Sequence, residues 1–135
     1  MSDSLILIAK DTTFSLGALK SLLEERLQSA AWGAATIRGF DGQIQVENVA
    51  THRYVIFREM KIAEAEREKA RDKSLFDVRS YDFDGLKRVL AAICDDSRFE
   101  IHTDYSQVYS GPEFAARVAA NPAWDWRQER AEASD

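Results

Sequence analysis

Asp41-Gly42 is the feature that most narrows the folds open to this chain. A two-residue type I′ turn needs positive φ at both central positions, and Asp-Gly is among the few pairs that supply it. Closing the chain there sets Phe40 opposite Gln43, Gly39 opposite Ile44, Arg38 opposite Gln45, Ile37 opposite Val46 and Thr36 opposite Glu47. Ile37, Gly39, Ile44 and Val46 then share one face, while Thr36, Arg38, Gln45 and Glu47 share the other. Turn chemistry and hydrophobic alternation select the same register, so the region reads as an antiparallel hairpin.

The flanking segments extend the pattern. Leu5 to Ala9 is a continuous apolar run of strand length. Leu16, Leu19, Leu23 and Leu27 recur at helical spacing, with Leu22 and Ala30 widening the stripe, which predicts a helix to about Ala31 stopped at Gly33. Tyr54–Phe57 and Leu75–Ser80 read as further strands. Lys61–Ser74 carries nine charged residues in fourteen; its Glu64–Arg67 and Glu68–Arg71 pairs suit a solvated helix, and a mobile excursion is the alternative. Asp82 caps a helix marked by Phe83, Leu86, Leu90 and Ile93. Phe99, Ile101 and Thr103 alternate with Arg98, Glu100 and His102 as in a half-buried strand. Ser110 and Glu113 have capping-box spacing around Pro112, opening a helix that stops at Asn121-Pro122.

This order predicts a single α+β domain over residues 1–126: a mainly antiparallel, hairpin-rich sheet with two or three amphipathic helices on one face. Residues 127–135 form a polar tail expected to be disordered. At 135 residues with 45% hydrophobic content, the chain can bury one sizeable core. No apolar run reaches membrane-spanning length, and the N-terminus lacks the basic start of a secretory signal. Cys94 is the single cysteine, so no internal disulfide forms and a cytoplasmic setting is expected.

Catalytic candidates all have structural explanations. His52 lies in a polar connection. Strand spacing puts Glu100 and His102 on one face, so a small enzyme or small-molecule site around Glu100, His102, Asp104 and Tyr105 is the alternative reading; an ordinary polar sheet face gives the same pattern. Cys94 sits near a helix C-terminus beside Asp95 and Asp96, where the dipole opposes a thiolate, and reads as buried packing. Asp82/Asp84 and Asp95/Asp96 suit capping or solvation better than a divalent cation. Neither a metal set, a serine elbow nor a glycine-rich phosphate loop is present, so no cofactor or metal is expected.

The C-terminal region concentrates aromatic and acidic residues in connections: Asp104, Tyr105, Tyr109, Trp124, Asp125 and Trp126. Either the tryptophans anchor the C-terminus over the core, or part of the cluster is exposed for recognition. The formal charge of −5 disfavours nucleic acid and suits a basic protein partner, although solubility alone also explains it. Membrane contact is not expected, and homo-oligomerisation is left open. The expected function is a non-catalytic protein-binding module, an inhibitor or toxin-neutralising immunity-type protein that masks a partner. These residues are the candidate contact surface.

Overall fold

The backbone at Asp41 and Gly42 adopts φ 47° and 76°, the paired positive values that a type I′ turn requires. All the cross-strand pairs expected of this hairpin form, from Phe40 opposite Gln43 to Thr36 opposite Glu47. A Cβ at Gly39 would lie 3.2 Å from Cδ of Lys20, a contact that a small shift of the lysine stem relieves.

The computed structural model describes residues 3–11, 14–27, 35–60, 73–94, 97–103 and 107–126. Among these, the strands are β1 (Asp3–Ala9), β2 (Ala35–Phe40), β3 (Gln43–Asn48), β4 (Tyr54–Glu59), β5 (Ser74–Ser80), β6 (Phe99–Thr103) and β7 (Val108–Ser110). The helices are α1 (Leu16–Leu27), α2 (Phe83–Ile93) and α3 (Gly111–Ala120). The seven strands form one antiparallel sheet in the order β2-β3-β4-β5-β1-β6-β7. The fold is α+β, as the sequence predicts. Residues 61–72 and the 127–135 tail lie outside the described residues, as does the expected extension of α1 to Ala31.

The three helices pack on one face. Leu19, Leu23 and Leu27 of α1 join Leu86, Leu90 and Ile93 of α2 and Phe114 of α3. Beneath them lie Leu5, Leu7, Ile44, Val46, Val55, Phe57, Phe76, Val78, Phe99 and Ile101. Each buried side chain is worth roughly 1.5–3 kcal/mol of transfer free energy, so this layer carries most of the driving force. The α2 cap forms as expected, with Asp82 Oδ1 accepting from the Gly85 N–H at 3.1 Å. Ser110 Oγ likewise accepts from the Glu113 N–H at 3.2 Å. Cys94 is fully buried at the end of α2.

The opposite face carries no described helix. Its side chains include Glu47 and Gln45 of β3, Tyr54, Ile56 and Arg58 of β4, Asp77 and Arg79 of β5, Ile6 of β1, and Glu100 and His102 of β6, as the strand registers require. The run Leu5–Ala9 therefore serves two environments: Leu5, Leu7 and Ala9 meet the helices, and Ile6 and Ile8 point the other way. Residues 104 to 110, read in sequence as one turn into a helix, contain the additional strand β7, too short for alternation to reveal. Among the described residues, no helix is long and apolar enough to cross a membrane.

Candidate functional site

The C-terminal aromatic residues turn inward. Tyr109 pairs with Ile101 across β6 and β7, which puts its ring on the helix face. It meets Trp124 edge-on with centroids 5.2 Å apart, and Phe114 packs against Trp124 at 5.4 Å and Trp126 at 5.6 Å. Phe83 of α2 closes the cluster 4.5 Å from Trp126. Only 5%, 8% and 1% of Tyr109, Trp124 and Trp126 remain exposed.

The anchor reading holds for these three side chains, and the expectation of an exposed indole edge is corrected. The physical reason is the seam between α2 and α3, which offers an apolar slot together with donors for the backbone of the segment entering it. Buried Lys87 donates to the carbonyls of Pro122 and Trp124, the latter at 2.9 Å. Gln107 Nε2 donates to the Trp126 carbonyl at 2.7 Å, and its Oε1 accepts from Thr103 Oγ1 at 2.7 Å. Asp125, between the two tryptophans in sequence, is half-buried. Asp104 and Tyr105 lie outside the described residues.

Glu100 and His102 do come together, as their strand spacing allows. The imidazole Nε2 lies 2.6 Å from Glu100 Oε1, and Lys10 Nζ is 3.9 Å from the same carboxylate. The hydrogen bond from His102 is the main cause holding the Glu100 carboxyl below its usual range. The charges of His102, Lys10 and Lys73 add to it, and partial burial opposes it. The pair lies on the polar face of the sheet, where it orients an imidazole.

A second region, not singled out from the sequence, has a concave shape. Two adjoining depressions of about 320 and 180 Å³ lie where the β3–β4 turn meets the β5–α2 junction. Tyr54 and Tyr81 line both; His52, Arg53 and Asp82 complete the first, and Ile56, Arg79 and Ser80 the second.

Buried polar residues build this cleft. Asn48 Oδ1 accepts from the N–H groups of Ala50 and Thr51 at 3.0 and 3.1 Å. The Asn48 backbone N–H donates to the Arg53 carbonyl at 2.8 Å. The turn so formed holds His52 at φ 59°, the left-handed region that costs a side-chain-bearing residue roughly 1–2 kcal/mol. Buried Ser80 joins the two walls: its hydroxyl donates to the Tyr54 carbonyl at 2.8 Å and accepts from the Asp82 N–H at 2.9 Å. Tyr81, between Ser80 and the α2 cap, is thereby presented outward with 77% exposure, and Tyr54 with 40%.

The charges are asymmetric in depth. Asp77 is largely buried and accepts from Arg79 Nε at 2.8 Å, with Arg58 at 3.7 Å. Asp82 is equally recessed, already committed to its cap, and lies 3.7 Å from Arg53. The carboxylates sit low while the guanidiniums of Arg53, Arg58 and Arg79 stand in solvent. Sequence reasoning placed Tyr54 in a strand but assigned it no surface. The usable signal was Ser80-Tyr81-Asp82, a large aromatic residue between a strand end and a helix cap.

Comparison of the chain with protein-family models, with curated proteins and with solved structures finds no match.

Proposed function

We propose that this protein is a non-catalytic protein-binding module of the cytoplasm, acting as inhibitors and immunity proteins do, by covering a partner's working surface. The observation that carries this reading is the cleft between Tyr54 and Tyr81, flanked by Arg53 and Arg79. Tyrosine and arginine are the residue types enriched at binding hot spots, because each offers a large contact surface with a polar end. The hydrogen bonds of Asn48 and Ser80 fix the backbone that presents the tyrosines before a partner arrives, which lowers the ordering cost of association. The test is a photo-crosslinking amino acid placed at position 81 and, as a control, at Glu113 on α3. One partner captured from the native host at position 81, absent at 113 and lost on Tyr54→Ala, is the expected result. Capture that ignores Tyr54→Ala, or no capture at 81, removes this surface.

The second reading is a small enzyme using His102, oriented by Glu100 at 2.6 Å. Acid–base chemistry requires such an oriented group within reach of a substrate proton. Under the module reading, His102→Gln leaves folding and biological activity intact. Loss of activity in a folded His102→Gln protein selects the enzyme instead.

A further inference from the structure

We infer that the Tyr54–Tyr81 cleft takes a carboxylate-bearing segment of the partner protein, with Arg79 as its two-pronged anchor. This rests on the binding-module reading and names the chemistry of what is bound. Three observations support it.

Arg79 engages Asp77 through Nε alone, at 2.8 Å. Among the described residues its terminal amino groups donate to no carboxylate. A guanidinium with one edge fixed is already oriented, so its remaining donors can meet a carboxylate with little further loss of side-chain freedom. The Tyr54 and Tyr81 hydroxyls likewise have no hydrogen-bond partner among the described residues, and their rings wall the depression that Arg79 enters. Finally, the acids paired with these arginines, Asp77 and Asp82, are recessed, whereas Arg53, Arg58 and Arg79 keep more than half of their side-chain surface in solvent. An approaching group meets the cations first.

The chain's net charge of −5 does not oppose this at contact. Charges more than about 8 Å away are largely screened at physiological salt. What a ligand feels inside the cleft is its immediate wall. The long-range field repels acidic molecules in bulk, and the cleft accepts one only where tyrosine and arginine contacts form together.

The test uses the full chain and a defined probe, N-acetyl tetraglutamate amide, followed by NMR of backbone amides and arginine side-chain Nε–H groups. Tetralysine and inorganic phosphate are the comparison probes. Tetraglutamate is expected to shift the Arg79 Nε–H and the Tyr54 and Tyr81 amides, and tetralysine to leave them in place. Arg79→Gln should weaken the tetraglutamate response at least fivefold in protein whose amide spectrum remains that of the folded chain. Arg79→Lys, which keeps the charge but loses the fork, should weaken it less. Tetraglutamate shifts that are absent, or that persist in Arg79→Gln, overturn the inference. So does phosphate that binds the same residues more tightly than tetraglutamate. If tetraglutamate fails while the crosslinker at position 81 still captures a Tyr54-dependent partner, the carboxylate assignment falls and the binding module stands. If both fail, both fall.

Discussion

The segment from Tyr109 to Trp126 and the cleft around Tyr54 and Tyr81 both place aromatic rings at or beside connections, next to aspartates, and their rings meet opposite fates. Tyr109 pairs with Ile101 on the helix side of the sheet, and the two tryptophans follow α3 back into its seam with α2. Tyr54 pairs with Glu47, next in line to Ile56 opposite Arg79, on the side without a described helix. What differs is the face of the sheet and the availability of donors for the entering backbone. Lys87 and Gln107 supply those donors at the C-terminus. At the cleft, Ser80 and Asn48 fix the backbone and leave the rings outside. Aromatic residues in connections are buried where the fold offers them a slot and stay exposed where it does not.

The largest expected effect separates the two regions directly. Trp126→Ala should cost about 3–5 kcal/mol, the range for truncating a buried large aromatic, whereas Tyr81→Ala should change stability by less than about 0.5 kcal/mol. Urea unfolding followed by circular dichroism measures both; comparable losses would erase the distinction. Lys87→Met keeps the buried stem but leaves the Pro122 and Trp124 carbonyls without their donor. A loss of about 1–3 kcal/mol is expected, and a neutral result would mean that the indoles alone hold the C-terminal segment.

Backbone strain offers a finer contrast. Gly42, at φ 76°, should lose about 1–2 kcal/mol on replacement by valine, because a β-branched residue resists that conformation. His52 at φ 59° is the reverse case, and His52→Gly should gain about 0.5 kcal/mol once relief of strain is set against the added freedom of the unfolded glycine. If His52→Gly destabilises the protein, the cleft turn is not strained and the imidazole contributes to packing.

The smallest effect is a pH dependence at the Glu100–His102 pair. Glu100 titrates below its ordinary value of 4.5 in the folded protein. Its stabilising contribution is therefore fully present above about pH 5 and is lost as pH falls through the folded value. The melting temperature of the wild type should exceed that of Glu100→Gln by a small margin at about pH 5, and the margin should shrink as the pH is lowered through the carboxylate range. A margin that persists in acid would assign the effect to packing rather than to charge.

Much of the local structure was legible because it is governed by neighbours in sequence. The hairpin register followed from Asp41-Gly42 and from alternation, and the two caps followed from Asp82 and Ser110 with their spacing to the first helical turn. Glu100 and His102 could be placed on one face by period alone. β7 was not legible, since three residues carry no measurable alternation. The cleft was missed for a different reason. Arg53 and Asp82 are far apart in sequence, as are Tyr54 and Ser80, and only strand order makes them walls of one depression.

The sequence by itself determined most of the elements and the hairpin register, because turn dihedrals, caps and hydrophobic period act over a few residues. It also determined that the chain would build an α+β domain, since its strands and amphipathic helices each have one apolar side to bury. Tertiary structure decided the rest: that β1 lies between β5 and β6, that β7 extends the sheet beside β6, and that Trp126 is core while Tyr81 is surface. Those outcomes depend on which face each strand presents once the whole sheet is assembled. A tryptophan and a tyrosine beside aspartates look alike in sequence, and burial is a property of what the rest of the chain places against them.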